Sequence, residues 1–134
     1  MRRSSFPTAS ATARAVGTAL REGSVEAADR LVGELISWVL RSQTPAPADV
    51  LAEPESTGDE RYDALLATGL AYALLKRGEQ PAVWMRSARP LSHEWLWDGD
   101  SEASDAYREF IREQTPPLFR EKSILLRERD LITL

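Results

Sequence analysis

His93 is the single imidazole of the chain, and Glu94 and Asp98 lie close to it in sequence. These are the residue types from which a general base or a metal-ligand set is built, and they define a small-enzyme reading. A lone histidine between a capping serine, Ser92, and a tryptophan, Trp95, is more often surface decoration at a turn. Asp98, Asp100, Glu102 and Glu109 fall at positions 1, 3, 5 and 12 of a calcium-loop pattern. Position 6, where the loop needs glycine for its sharp turn, is Ala103, so the acids read better as the start of a helix. No glycine-rich phosphate loop, HExxH, GxSxG or paired Cys/His set occurs in the sequence. The expectation is therefore no catalytic residue, no metal and no cofactor.

A different kind of chemistry is offered by the run from Trp84 to Trp97. It holds three of the chain's tryptophans, Trp84, Trp95 and Trp97, with Arg86 and Arg89 interleaved. Trp and Arg are the side chains that binding hot spots favour, which makes these five residues the expected partner-binding set. The same rings could instead supply the core bulk that alanine-rich helices lack, and the two roles can be divided among different rings.

Composition limits the rest. A chain of 134 residues with 43% hydrophobic content supports one core, giving a single helical domain over residues 8–134 behind a flexible tail of residues 1–7. Absence of cysteine removes disulfides and thiol chemistry and suits a reducing, cytoplasmic setting. No apolar run approaches the roughly 20 residues that cross a bilayer. The net charge of −4 argues against direct phosphate binding. A helix-turn-helix over residues 13–40 is the DNA-binding alternative, but its second helix carries Glu26, Asp29 and Glu34 where base reading needs cations and amides. The first 21 residues contain no acid and are rich in Ser, Thr, Ala and Arg, a transit-peptide composition. Arg2 and Arg3 suggest a twin-arginine signal, although Arg14 interrupts the apolar stretch such a signal needs.

Positioning elements follow from periodicity. Residues 57–78 give the clearest helix: Thr57 and Glu60 have capping-box spacing, Tyr62, Leu65, Leu66, Gly69, Leu70 and Ala73 form a stripe, and Gly78 supplies a C-terminal stop. Ala64, Ala67, Ala71 and Leu75 widen that stripe, so the helix should be central, with Gly69 admitting a close neighbour. Ala9, Ala13, Val16 and Leu20 form a thinner stripe, and Gly23 and Ser24 join it in a tight hairpin to the denser face of Ala28, Leu31, Val32, Leu35, Ile36, Val39 and Leu40. Residues 43–56 cross the surface, with Val50 and Leu51 pinning the middle. Ser92 should cap a short helical turn through Trp97, and a last helix should carry Ala106, Tyr107, Phe110 and Ile111 until Pro116 and Pro117 stop it. Ile124, Leu125 and Leu126 lean to β structure. The fold class predicted is all-α: a small bundle of four main helices, residues 8–21, 24–41, 59–77 and 101–114, with a short extended or β-like C-terminal segment.

The order of pieces over about residues 53–131 resembles a group of small helical actinobacterial proteins regarded as antitoxin-like. The resemblance is carried by Asp63-Ala64-Leu65-Leu66-Ala67, Pro81 with Trp84, Leu91 with Trp95, and Pro116 to Phe119 followed by Ile124 and Asp130-Leu131. Members with a glycine before the apolar pair have it where this chain has Ser123. The resemblance implies a protein that binds and restrains another protein, such as a toxin encoded beside it, with nucleic acid reached only through that partner and no catalytic residues to carry over.

Overall fold

Two side-chain oxygens start the first hairpin. Thr8 Oγ1 accepts from the Ala11 amide at 2.9 Å and Ser24 Oγ from the Ala27 amide at 3.4 Å, which satisfies amides that have no intrahelical partner. They open α1 (Ala9–Arg21) and α2 (Val25–Arg41). Between them Gly23 takes φ +81°, and the Gly23 and Ser24 amides return to the Leu20 and Ala19 carbonyls at 3.0 and 2.8 Å. This is a Schellman closure, and it repeats at Gly78 after the third helix. The computed structural model describes residues 7–97 and 103–132. After the hairpin come α3 (Glu60–Lys76), α4 (Val83–Arg86), β1 (Trp95–Leu96), α5 (Asp105–Gln114), α6 (Pro117–Arg120), β2 (Ile124–Leu125) and α7 (Glu128–Leu131). The architecture is mostly helical with a short C-terminal extended segment, as the periodicity predicts.

The third helix is central. It packs on α1, α2, α4 and α6, and Leu65, Leu66, Leu70, Ala73 and Leu74 are buried along it. Gly69 is where α2 comes closest: a Cβ there would overlap the Ile36 side chain. Leu75, expected to widen the buried face, is instead 49% exposed. The cap also differs from the expected Thr57–Glu60 box. Asp59 is the N-cap, accepting from the Arg61 amide at 2.8 Å, because Thr57 is already engaged with Asp63.

Larger departures lie after residue 79. The turn expected from Ser92 to Trp97 is a strand, with Trp95 opposite Ile124 and Leu96 opposite Leu125 in a two-stranded parallel pair. Its amides find long-range partners: Trp95 N–H donates to the Ser123 carbonyl at 2.9 Å and Trp97 N–H to Leu125 at 3.1 Å. Ser123 adopts the left-handed φ of 65°, a conformation that glycine takes more readily, so the turn is made here with a serine. The segment holding Trp84 and Arg86, which shows no helical periodicity in the sequence, forms the single turn α4. Pro117, read only as a stop, begins α6, where its missing N–H costs nothing. The α5 helix starts at Asp105 on a Ser104 cap; the start expected at residue 101 lies outside the described residues. Tyr107 and Phe110 point largely to solvent, and Ile111 is the buried side chain of α5, against Leu96 and Leu125. Val50 is 2% exposed and its carbonyl receives the Ala9 amide, so the long connection is pinned as expected. Among the described residues, no helix is long and apolar enough to cross a membrane.

Candidate functional site

The expected aromatic set separates into two places. Trp97 is only 9% exposed, and its indole N–H donates to Asp29 Oδ1 at 2.9 Å. The same oxygen accepts from the Tyr62 hydroxyl at 2.6 Å. Burial, followed by this bond to a carboxylate, pushes the Tyr62 phenol above the ordinary tyrosine range. Trp95 is half-buried, with its ring edge-on to Tyr62 at 5.1 Å and the Arg61 guanidinium 5.1 Å from its centroid. Arg61 also bridges Asp59 at 3.0 Å, a bond that lowers the Asp59 carboxyl. Trp95 and Trp97 thus form a clasp between α2, the start of α3 and β1. Trp97 is a core ring there, packed in the free chain, unlike the contact ring that the sequence led us to expect.

Trp84 lies elsewhere. It is half-buried on α4 and its indole N–H donates to the Leu51 carbonyl at 3.0 Å, which fixes the ring against the long connection. That connection is tied down by Asp63 on the first turn of α3. Asp63 Oδ2 accepts from Ser56 Oγ at 2.5 Å, and Oδ1 accepts from the Thr57 amide at 2.8 Å and the Thr57 hydroxyl at 2.7 Å. On its other side the chain presses on α1, where a Cβ at Gly17 would sit 2.7 Å from the Thr57 carbonyl oxygen. Between these supports lies an open groove of about 510 Å³. Half-buried Pro54, Trp84 and Ala88 give it apolar surface over a floor of buried Ala13, Ala64, Leu66 and Ala67, Glu53, Glu55, Glu60 and Asp63 supply carboxylates, and Arg89 completes it. Arg89 is exposed in the groove, while Arg86 is exposed beyond the groove lining.

Of the expected contact residues, the fold therefore joins Trp84 and Arg89, leaves Arg86 on the same short helix as Trp84, and moves Trp95 and Trp97 to the Asp29 clasp. Sequence reading missed Glu53, Glu55 and Glu60 as site residues. The first two stand in a proline-rich connection, and the signal available was their spacing in an otherwise small-residue segment that Val50 and Leu51 hold to the core.

The catalytic alternative gathers little. His93 is exposed, and Glu94 is paired with Arg112 at 2.5 Å; Asp98 lies outside the described residues. So do Asp98, Asp100 and Glu102 of the calcium pattern, while Glu109 pairs with Arg112. Among the described residues, no group of three or more His, Cys, Asp or Glu side chains is arranged to hold a metal. On α2, the helix a DNA-binding reading would place in a groove, Glu26, Arg30 and Glu34 are exposed and Asp29 is engaged by Tyr62 and Trp97. Compared with known protein families, with characterised proteins and with solved structures, the chain matches none.

Proposed function

We propose that the chain is a non-catalytic, cytoplasmic protein-binding module, antitoxin-like in action, that neutralises a partner toxin by stoichiometric binding. The observation that carries this reading is the groove beside Trp84. It combines an indole held by a backbone hydrogen bond with apolar surface and exposed arginine on one side. A ring already fixed in the free protein loses little freedom on binding, so its contact area converts efficiently into affinity. The toxin as partner rests on the resemblance over residues 53–131. A net charge of −4 favours a basic partner, by hastening encounter more than by tightening the complex.

The test is capture with the tagged chain from its native host, identification of the adjacent reading frame, and reconstitution of the pair from purified components. The reading expects a complex of fixed stoichiometry and loss of the partner's toxicity when both are expressed. If the neighbouring product does not bind and the chain instead shifts labelled DNA at physiological salt, the DNA-binding alternative replaces it.

A further inference from the structure

From the chemistry of this groove we infer the kind of segment it takes: an exposed stretch of the partner that inserts an arginine or lysine side chain between the Trp84 ring and the Glu53, Glu55 and Glu60 carboxylates. The inference rests on the protein-binding reading and specifies the side of the partner that docks. Four carboxylates and one guanidinium line the groove, so its charge is strongly negative. Asp63 is occupied by Ser56 and Thr57. By contrast, Glu53, Glu55 and Glu60 have no hydrogen-bond or ion-pair partner among the described residues. Other surface acids of this chain are divided: Glu79, Glu94, Glu109, Glu128 and Asp130 are ion-paired, whereas Glu26 and Glu34 on α2 are joined to no cation among the described residues. The distinction of Glu53, Glu55 and Glu60 is that they line one groove together with an indole.

The remaining features select the same occupant. The half-buried Pro54, Ala88 and Trp84 side chains suit the methylene stem of a long cationic side chain, whose charged end then reaches the rim. Indole is the best of the aromatic faces for a cation, and Trp84 is held in place by Leu51. Arg89 stands in the same groove and disfavours a second cation next to it, so one inserted cation fits better than a run of them. Glu53 and Glu55 also border a smaller cleft that carries Arg14 and Arg21, yet no ion pair joins these groups among the described residues. A peptide arginine would therefore not have to displace an existing bridge. An anionic or purely apolar segment would leave the carboxylates desolvated and unmatched, which is the discrimination expected of a site built this way.

A titration followed by amide and indole NMR tests this with two defined probes, acetyl-Gly-Leu-Arg-Leu-Gly-amide and the same peptide with Glu in place of Arg. The arginine peptide should shift the Trp84 indole resonance and the amides of residues 53–57, saturably and more weakly at high salt. In the triple variant Glu53→Gln, Glu55→Gln, Glu60→Gln, all exposed positions, affinity should fall roughly tenfold with the melting temperature retained. Equal binding of the glutamate peptide, unchanged affinity in the triple variant, or an absence of shifts at residues 53–57 and Trp84 would each overturn the inference. Two outcomes separate it from the broader reading. A reconstituted partner that binds the triple variant as tightly as wild type keeps the protein-binding reading and removes the cationic insertion. An arginine peptide that binds here, with no partner protein in the host, does the reverse.

Discussion

The two halves of this molecule are held together differently. Up to Gly78 the fold consists of three helices of 13, 17 and 17 residues that bury aliphatic stripes against one another. After it, among the described residues, come three helices of four residues, one of ten, and two strands of two, too short to be stable in isolation. Long-range polar ties compensate in this second half: Trp97 to Asp29, Trp95 N–H to the Ser123 carbonyl, Lys122 to the Ala88 carbonyl, and Tyr72 and Lys76 to Glu128. Long helices can make a rigid wall from packing alone. Short pieces can be placed against that wall in arrangements no single helix could adopt, and the Trp84 groove lies where the two styles meet.

Leu70→Asp should have the largest effect, because Leu70 is fully buried at the centre of α3. An unpaired charge there costs several kcal/mol, against a total stability of about 5 to 15 kcal/mol for a domain of this kind. Circular dichroism should report an unfolded or aggregated chain, and a soluble variant with an unchanged melting temperature would break the comparison at its first term. Next comes Trp97→Ala, which empties a core site and strips Asp29 of one donor; a loss of about 3 to 5 kcal/mol is expected from denaturant unfolding. Trp97→Phe should recover most of the packing and separate the volume term from the hydrogen bond.

Gly69→Ala is a smaller perturbation in the first half. The added methyl overlaps Ile36, and such overpacking costs about 1 to 3 kcal/mol. Combining it with Ile36→Val should return part of the loss, and full additivity of the two changes would show that the helices are not in contact at this point. The smallest effect concerns the tie between α7 and α3. The hydrogen bond from Lys76, then the one from Tyr72, lowers the Glu128 carboxyl below its ordinary value of 4.5. A carboxylate depressed in the folded state adds stability that is complete above its unfolded value and is lost as pH falls through the folded one. Wild type should therefore lose stability below about pH 4.5 relative to Glu128→Gln, by no more than about 1 kcal/mol because both partners of the ion pair are near half-exposed. Parallel melting curves for the two chains across that range would remove Glu128 from the account.

The same contrast governs what could be read from the sequence. Three- and four-residue spacing revealed α1, α2 and α3, though not that Asp59 rather than Thr57 caps the third, and Gly69 was legible as a close approach because a glycine inside so regular a stripe needs a neighbour. Nothing local could reveal that Trp95 and Leu96 pair with Ile124 and Leu125, since strand pairing over that separation leaves no periodic trace in two residues. Tyr107 and Phe110 have helical spacing but lie largely in solvent, because the available core beside α5 is filled by Ile111. At the candidate site, Trp84 and Arg89 were legible by residue type. Trp97 was not separable from them by type, because core rings and contact rings share their chemistry and differ only in what surrounds them. The acidic wall was hidden for a related reason, as glutamates in a proline-rich connection signify solvent until Asp63 fixes that connection beside α3.

The most direct test of the central claim is the affinity of Trp84→Ala for the reconstituted partner, measured by calorimetry at a temperature where the melting curve shows the variant folded. Binding should weaken by about 2 kcal/mol or more, a roughly thirtyfold rise in Kd, while the helical signal is retained. A folded Trp84→Ala chain that binds its partner within twofold of wild type would contradict it.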